Sequence, residues 1–379
     1  MTTQTQSVQD EPETQARSEA ETLTLFLNCE RFLSGHGIRR PADELADLAR
    51  EAADTPESDH YGEGAVIEDF EREIAGLLGK ESAVFMPSGT MAQQIALRIW
   101  SERKNCSTVA FHPLCHLEVD EEKAYQYLHG LRARLVGEPQ RLLTLEDLRK
   151  IAEPIAALLL ELPQRYIGGQ LPEWQQLVAQ AEWARERGVA LHMDGARLWE
   201  SGPYYERSYA ETAALFDSVY VSFYKGVGGI AGATLAGPAD FIGEARVWLR
   251  RHGGNLIRLY PYVLAARAGL RQRLERFPVY HERAKQVAVA LRTVPGVVVK
   301  PETPQTHMMH VYLPGDMDRL LAASLDIARD ERVGLFRGLW PTELPGYTKF
   351  ELAVGEATFS LTDEEIAGYF ARIVASSHK

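Results

Sequence analysis

Cysteine is scarce in this chain of 379 residues, which contains only Cys29, Cys106 and Cys115. Three scattered cysteines are too few for a disulfide framework, so we expect a reducing compartment, the cytoplasm. Long apolar runs are also missing: the longest core-like run, Ile155–Leu160, is far shorter than the roughly 18 residues that cross a bilayer. The segment Met1–Glu21 has neither a basic start nor an apolar stretch, which argues against a signal peptide or an anchor. We therefore expect no membrane partner.

Positive charge is in the minority, with 41 lysines and arginines against 53 aspartates and glutamates, a formal net charge of −12. A negative surface repels phosphate backbones, so we expect no nucleic-acid partner. Hydrophobic residues at 45% and charged residues at 25% are typical of a folded globular protein. The length favours two domains.

Strand and helix patterns alternate through the first two thirds of the chain. Strands are predicted over Ala83–Met86, Thr108–Phe111, Ala156–Leu160, Val189–Met193, Val219–Phe223 and Ala233–Gly237. Helices are predicted over Ala42–Ala53, Ile67–Leu78, Met91–Trp100, Glu118–His129 and Pro172–Arg187. Strands separated by helices of this length predict a mostly parallel sheet covered on both faces. The sequence therefore predicts an α/β main domain.

The pattern changes near residue 241. Two amphipathic helices, Phe241–Arg251 and Tyr262–Arg276, are followed by strands that favour antiparallel pairing, over Val297–Lys300, Met308–Leu313 and Thr348–Ala353. We therefore expect three parts: a disordered tail over residues 1–24, a large domain with an N-terminal arm over 25–269, and a small α+β domain over 270–379.

Three chemically active groups fall at one edge of the predicted sheet. One strand leads into Asp194, and another leads into Lys225. The turn Pro87-Ser88-Gly89-Thr90 lies where a strand ends and a helix begins. Open α/β sheets bind ligands at the carboxyl ends of their strands, and the free N–H groups of a helix start hold anions. The sequence predicts an anion site, a lysine and a carboxylate in one crevice.

That combination matches the needs of pyridoxal 5'-phosphate (PLP). A desolvated lysine forms a Schiff base with the aldehyde, and a carboxylate keeps the pyridine nitrogen protonated. The phosphate group of PLP would bind at the N-terminus of the helix. Each motif alone is a weak signal, since most charges at strand ends are solvated, but their order on successive strand ends is specific.

Five segments together resemble the low-specificity threonine aldolases of the β-eliminating-lyase group, which are fold type I PLP-dependent enzymes. The segments are Tyr61-Gly62-Glu63, Phe70–Glu81, Pro87-Ser88-Gly89-Thr90-Met91-Ala92, Leu191–Leu198 and Ser222–Gly226. They lie within roughly residues 60 to 270, and the DGARL and PSGTMA strings are the most specific.

The resemblance implies a role for each matching residue. Lys225 would be the Schiff-base lysine, Asp194 the partner of the ring nitrogen, and His116 the residue stacked on the ring. Cofactor contacts are further expected from Ser88, Gly89, Thr90, Arg197, Ser222 and Arg258, and substrate contacts from Arg197, Gln164 and Tyr61.

Two of these assignments have alternatives in the sequence. Arg197 lies three residues after Asp194, where a bidentate guanidinium suits a substrate carboxylate but could also pair with Asp194 itself. Tyr61 and Arg258 are implied to reach a neighbouring subunit, which predicts a homodimer or homotetramer. Arg258 could instead be a solvated charge at a helix end.

Three departures from the family pattern lie on the substrate side. The N-terminal segment Phe26–Gly37 replaces the usual short Ser-Asp-Thr segment, and Thr348–Glu351 stands where the family carries an arginine. Gln164 stands where the aldolases carry a histidine, and an amide can form hydrogen bonds but cannot exchange protons near neutral pH. We expect slow cleavage of threonine and a preference for another or a larger β-substituent.

Two other sites can be weighed from their motifs. His112, Cys115 and His116 cluster in sequence but have no fourth ligand, so we expect no metal. The run Gly226–Ala231 fits a dinucleotide fingerprint, yet a predicted strand rather than a helix follows it.

The sequence thus favours a PLP-dependent lyase that reversibly cleaves a β-hydroxy-α-amino acid into glycine, or a small amino acid, and an aldehyde. His116 or an ordered water would take the β-hydroxyl proton. PLP-dependent β-elimination or other lyase chemistry is the first alternative. A non-catalytic PLP-binding protein is the second, although such a protein has no need of an electron sink at Asp194.

Overall fold

The computed structural model describes residues 21–55, 57–342 and 344–376. Thirteen strands lie in these ranges: β1 Arg31–Phe32, β2 Ser82–Met86, β3 Thr108–Phe111, β4 Arg132–Leu135, β5 Ala157–Glu161, β6 Ala190–Gly195, β7 Ser218–Ser222, β8 Ala233–Gly237, β9 Val298–Lys300, β10 Met308–Pro314, β11 Val333–Gly334, β12 Trp340–Pro341 and β13 Tyr347–Ala353.

The α-helices with both ends in the described residues are α1 Pro41–Glu51, α2 Ala65–Leu77, α3 Gly89–Lys104, α4 His116–Val119, α5 Ala124–His129, α6 Leu145–Arg149, α7 Trp174–Glu186, α8 Gly202–Tyr205, α9 Tyr209–Ala213, α10 Ala239–Arg251, α11 Tyr260–Arg273, α12 Phe277–Arg292, α13 Met317–Glu331 and α14 Asp363–Ser376. Residues 21–27 are also helical, although the sequence assigned residues 21–24 to the disordered tail. The rest of that tail, residues 1–20, lies outside the described residues.

The chain forms two compact units. One comprises Glu44–His281, and the other joins the described residues up to Asp43 to those from Glu282 onward. The sequence placed the boundary at 269/270 and counted residues 25–43 with the larger domain. The structure instead groups these N-terminal residues with the smaller unit: Gly35 N donates to Ala353 O at 2.7 Å, and the Thr358 hydroxyl donates to Leu33 O at 2.7 Å.

The larger unit is built on a seven-stranded sheet in the order β2-β8-β7-β6-β5-β3-β4. Every pair is parallel except the two that involve β8, which is antiparallel to β2 and β7. The prediction of a mostly parallel α/β sheet is confirmed, although the sequence missed the short edge strand β4. Because β5, β6 and β7 are parallel neighbours, their carboxyl ends meet at one edge.

Helix α3 follows the first strand of this sheet and packs into its core. Ser88 is the N-cap, and its hydroxyl accepts from Met91 N at 3.2 Å; Asn105 ends the helix in the left-handed region. Ala92, Ile95 and Ile99 are fully buried, so the helix is fixed by both its cap and its apolar face. Its amino end is consequently held at the sheet edge.

Three helix predictions were wrong at their boundaries. The helix expected over Glu118–His129 is two short helices, α4 and α5, because Glu122 and Lys123 adopt φ of 51° and 54° and break it. The helix predicted over Tyr262–Arg276 ends at Arg273, and Pro278, two residues beyond its predicted end, is the second residue of α12, where its missing N–H costs nothing. Helix α7 begins at Trp174 with Glu173 as cap, rather than at Pro172.

The smaller unit contains the antiparallel sheet β12-β13-β10-β9 and the parallel pair β1-β11. Its core includes a stack of Phe336, Phe350 and Phe370, with ring centroids 4.8 Å apart for the first pair and 5.8 Å for the last two. Antiparallel pairing of the three predicted C-terminal strands is confirmed. Across the described ranges of both units, no helix is long and apolar enough to cross a membrane.

Candidate active site

Acidic and basic side chains converge where β5, β6 and β7 end. Glu161 is the last residue of β5 and is in register with Asp194 of β6, which is in turn in register with Tyr220 of β7. Lys225 follows β7 by three residues. The predicted proximity of the carboxylate and the lysine is therefore present in the structure, with Glu161 as an additional acid beside them.

Asp194 is buried, with 2% of its surface exposed. The backbone N–H of Ala196 donates to its Oδ1 at 3.0 Å, which fixes the carboxyl group. Burial raises the pKa of Asp194 above its ordinary value, while the positive charge of Lys225 and the hydrogen bond from Ala196 act in the opposite direction. The carboxylate thus depends on a nearby positive group to remain charged.

The pKa of Lys225 is shifted in the opposite direction to that of Asp194. Burial lowers the pKa of Lys225, and the charge of Arg197 lowers it further, whereas Asp194 and Glu161 raise it. The net direction is downward, so the neutral amine is more accessible than for a solvated lysine. A neutral amine is the form that attacks a carbonyl carbon.

His116 begins α4 and is half-buried. Its Nδ1 lies 3.0 Å from Glu121 Oε1, and its Nε2 lies 3.4 Å from Asp120 Oδ2. Burial alone would lower the pKa of His116, but the Glu121 hydrogen bond and the charge of Asp194 outweigh it, and the net pKa is raised. With a carboxylate at each ring nitrogen, the imidazolium form is favoured.

The Ser88-Gly89-Thr90 segment lies at the amino end of α3, against residues that flank Lys225. A Cβ on Gly89 would overlap the hydroxyl of Tyr220, so only glycine fits. The Tyr224 side chain lies close enough to the Gly89 backbone and to Tyr220 for both to affect its pKa, which burial raises. Tyr224 directly precedes Lys225, which links the helix start to the lysine.

Ser222 and Arg197 connect the loops that follow β6 and β7. The Ser222 hydroxyl donates to Ala196 O at 3.0 Å, and the Trp199 indole donates to Ser222 O at 2.9 Å. Arg197 lies close enough to Lys225 to lower its pKa. The structure therefore brings these two predicted residues together with Asp194 and Lys225.

Gln164 is buried and lies beside Glu161 at the end of β5. Its Nε2 donates to Leu114 O and to Glu161 Oε2, each at 3.1 Å. Both acceptors are oxygens, so the amide orientation is fixed. Gln164 thus joins the end of β5 to the backbone that leads into His116.

Tyr61 and Arg258 form a separate pair. Tyr61 N donates to Ile257 O at 3.3 Å, while Arg258 Nη1 donates to Asp59 O at 2.8 Å and to Ile257 O at 2.9 Å. Tyr61 is 50% exposed. These bonds join residues 59–61 to residues 257–258, and within the described part of the chain Arg258 makes no hydrogen bond to Lys225 or Asp194.

Sequence reasoning missed several residues of this group. Glu161 directly follows the predicted strand Ala156–Leu160, so the strand-end rule that found Asp194 could have found it too. Tyr220 and Tyr224 gave no such signal, because their contact with Gly89 arises from packing across the sheet. Glu121 was hidden inside a predicted helix. Among the residues that the structure describes, no group of three or more His, Cys, Asp or Glu side chains could hold a metal ion.

Comparisons with known proteins agree with this geometry. The β-eliminating lyase family matches residues 40–313, more than half of the chain. Low-specificity L-threonine aldolase 1 of Arabidopsis thaliana is 28% identical over 298 residues, which cover 76% of this chain and 82% of that protein.

Two solved structures are much more similar. A candidate aromatic amino acid β-eliminating lyase or threonine aldolase from Exiguobacterium sp. 255-15 is 45% identical with a TM-score of 0.88, over 94% of this chain and 99% of that one. A candidate L-allo-threonine aldolase from Listeria monocytogenes EGD-E is 44% identical with a TM-score of 0.89, over 95% and 99%. The fold is fold type I of the PLP-dependent enzymes. This chain therefore belongs to the β-eliminating lyase family, in which its relatives include the low-specificity threonine aldolases.

Proposed function

We propose that this protein is a PLP-dependent aldolase that reversibly cleaves the Cα–Cβ bond of a β-hydroxy-α-amino acid. The products are glycine, or a small amino acid, and an aldehyde. The observation that carries the proposal is the pairing of Lys225 and Asp194 at one sheet edge, each with its pKa shifted toward the uncharged form by burial. The threonine aldolases among its relatives support the same reaction.

The side chains at this edge fit PLP. The amine of Lys225 is partly desolvated, Asp194 is a buried acid near it, and the amino end of α3 offers backbone N–H groups beside a glycine that tolerates no side chain. We assign Ser88, Gly89 and Thr90 to the phosphate. When bound, PLP supplies an aldehyde that captures amines and a protonated pyridine ring that withdraws electrons from the bonds at Cα.

The chain's own residues then have distinct tasks. Lys225 would offer a neutral amine to the aldehyde of PLP, and Asp194 would keep the pyridine nitrogen protonated. His116, whose Nδ1 lies 3.0 Å from Glu121 Oε1, would stack against the ring. Ser222 keeps the loop that carries Arg197 fixed, through its bond to Ala196 O.

Substrate binding falls to Arg197 and Gln164. The guanidinium of Arg197 binds the substrate carboxylate in a bidentate manner, which orients the Cα–Cβ bond. Gln164 uses both amide hydrogens within the protein, so only its Oε1 is left to accept a hydrogen bond. It can orient a β-hydroxyl group but does not remove the proton, which an ordered water or the neutral form of His116 accepts.

We further propose a homodimer or homotetramer in the cytoplasm, with small amino acids rather than nucleic acid or membranes as partners. Tyr61 and Ile257 are half exposed, at 50% and 51%, and lie beside Arg258. An exposed apolar pair next to an arginine suits contact with a second subunit whose site Arg258 and Tyr61 would complete.

A product assay tests the proposed reaction. The purified protein is loaded with PLP and incubated separately with L-threonine, L-allo-threonine and phenylserine, and the products are identified by mass. Glycine and the matching aldehyde from at least one substrate support the proposal. Pyruvate-type products and ammonia without an aldehyde would establish β-elimination instead, and a PLP-loaded protein without turnover would favour the binding role.

A further inference from the structure

Glu161 is an acid beside the proposed cofactor site to which the mechanism assigns no task. It ends β5 in register with Asp194, and in-register residues of neighbouring parallel strands lie about 4.8 Å apart and point to the same face. Burial and the charge of Asp194 raise the pKa of Glu161 to about 7. Burial of a carboxyl group costs free energy unless the group is hydrogen-bonded or paired, so the partners of Glu161 matter.

The carboxyl group of Glu161 makes two hydrogen bonds. Arg165 N donates to Oε1 at 3.2 Å, which closes the turn after β5. Gln164 Nε2 donates to Oε2 at 3.1 Å and, with its other hydrogen, to Leu114 O at 3.1 Å. The amide is therefore a bridge from Glu161 to the backbone two residues before His116.

The same turn also contacts the residue that follows α4. The Tyr166 hydroxyl donates to Asp120 Oδ1 at 2.6 Å, and Asp120 Oδ2 lies 3.4 Å from His116 Nε2. The segment around His116 is thus held on both sides by residues 164–166. The orientation of that turn depends on Glu161.

We propose that Glu161 is a positioning residue, which fixes the amide of Gln164 and through it holds the backbone that carries His116 beside Lys225 and Asp194. The inference rests on the proposed function, since it concerns how the catalytic groups are aligned. Glu161 does not contact the reacting atoms in this account. Small displacements of aligned groups cost large factors in rate, which is why such a bridge matters.

Glu161→Gln isolates the bridge. A glutamine at this position has one oxygen, which can still accept from Arg165 N and preserve the turn. Its NH2 group would then face the NH2 group of Gln164, so the link to Gln164 is lost. The matched control is Glu186→Gln, an exposed carboxylate at the end of α7.

The first measurement is a double-mutant cycle on the PLP-loaded enzyme, with L-threonine and phenylserine as substrates. We expect Glu161→Gln to lower kcat roughly 10-fold to 100-fold with KM changed less than threefold, because alignment rather than binding is lost. Gln164→Met also removes the contact proposed for the β-hydroxyl group, so it should cost at least as much. The double variant should be no worse than Gln164→Met alone, since both changes break one bridge.

The second measurement needs no substrate: the visible absorption of the loaded protein is recorded against pH. The titratable groups that face Glu161 are Asp194, His116, Lys225 and Cys115. Removing the negative charge of Glu161 disfavours protonation at the nitrogen of Lys225, so the midpoint of the absorption change should move to lower pH. Glu186→Gln should leave the midpoint in place.

The outcomes separate this inference from the function it rests on. Independent, multiplying losses in the double variant, a kcat for Glu161→Gln within twofold of wild type, or an unchanged midpoint would each overturn the positioning role alone. A wild-type protein that takes up no PLP, or that takes it up and cleaves no Cα–Cβ bond, would overturn the proposed function and this inference with it.

Discussion

Asp194 and Lys225 each alter the proton affinity of the other at the carboxyl edge of the large sheet. The charge of Lys225 lowers the pKa of Asp194 and the charge of Asp194 raises that of Lys225, while burial drives both groups toward their uncharged forms. These opposing effects favour a neutral amine at Lys225, which can attack an aldehyde, and a carboxylate at Asp194, which can hold a proton on the ring of PLP. The proposed chemistry depends on it.

Loss of the Lys225 amine should abolish covalent capture of PLP. We expect borohydride reduction of the loaded wild type to leave a pyridoxyl mark on the peptide that contains Lys225, and Lys225→Ala to show no mark and no cleavage. Lys80 is the matched control, because it is also partly buried with a lowered pKa, and its Nζ donates to Phe216 O. Lys80→Ala should retain the mark; a reducible adduct on another lysine in Lys225→Ala would refute the assignment.

Removal of the Asp194 carboxylate should separate binding from turnover. Asp194→Ala should still bind PLP weakly, yet kcat should fall by roughly three orders of magnitude, as lost electrostatic stabilisation of a transition state does. Asp217 is the control, since it lies just before β7 and accepts a hydrogen bond from Leu191 N at 2.7 Å, away from the carboxyl edge. Near-normal turnover in Asp194→Ala would remove its role at the ring nitrogen.

The proximity of Asp194 and Lys225 could be predicted from the sequence because the ends of strands can be recognised from the residue pattern. Asp194 and Lys225 follow short apolar runs, and parallel topology brings such ends together. The contacts of the residues expected on the substrate side could not be predicted in the same way. The bridge from Gln164 to Leu114 joins residues 50 apart in sequence, and the break in the expected Glu118–His129 helix depends on two left-handed residues, Glu122 and Lys123, that have no glycine to signal them.

A histidine at position 164 should restore part of the rate that is lost with the amide bridge. We expect Gln164→His to cleave L-threonine severalfold faster than Gln164→Met, because both variants lack the amide bridge to Glu161 but only the imidazole can accept the β-hydroxyl proton. His116→Phe should lower cleavage of every substrate, since it removes the ring that Glu121 holds. The measurement is kcat/KM for L-threonine and for phenylserine in each variant. Equal threonine rates in Gln164→His and Gln164→Met would contradict the account of Gln164.

Subunit contact should be visible at Arg258. If Tyr61 and Arg258 complete a neighbour's site, the wild type should sediment as a dimer or tetramer, and Arg258→Ala should weaken PLP affinity roughly tenfold, as loss of a charged hydrogen bond does. Arg251→Ala, an exposed arginine at the end of α10, is the control. A fully active monomer, or unchanged PLP affinity in Arg258→Ala, would exclude this role.

Acid should destabilise the large unit through His192. This buried histidine contacts Ser218 Oγ at 2.8 Å and Gln93 Oε1 at 2.7 Å, and burial lowers its pKa to about 3. The unfolded chain, with an ordinary histidine pKa near 6.5, binds the extra proton first, so stability is lost as pH falls from about 6.5 toward 3. Because of His192, the free energy of unfolding should fall by roughly 2 kcal/mol between pH 7 and pH 5.

Urea unfolding at the two pH values measures that loss. His192→Gln lacks the titrating ring. The change in its free energy of unfolding between pH 7 and pH 5 should therefore be smaller than that of wild type by about 2 kcal/mol. Equal pH dependence in wild type and variant would show that His192 is not the group responsible.

The domain boundary shows where local pattern fails. The sequence predicts residues 25–43 as part of an N-terminal arm of the larger domain, yet Leu33 and Gly35 are bonded to Thr358 and Ala353, more than 300 residues away. Contacts between segments so far apart in sequence cannot be recognised from the hydrophobic periodicity of either segment. The three antiparallel strands of the smaller unit were predicted because each has its own apolar run.

The most direct test of the central claim is the ratio of aldehyde to glycine formed from a single β-hydroxy amino acid. Phenylserine is incubated with the PLP-loaded wild type and, as a control, with Lys225→Ala, and benzaldehyde and glycine are quantified together. Cleavage of the Cα–Cβ bond predicts equal amounts of the two products in the wild type and neither in the variant. Ammonia and a keto acid in place of benzaldehyde and glycine would contradict it.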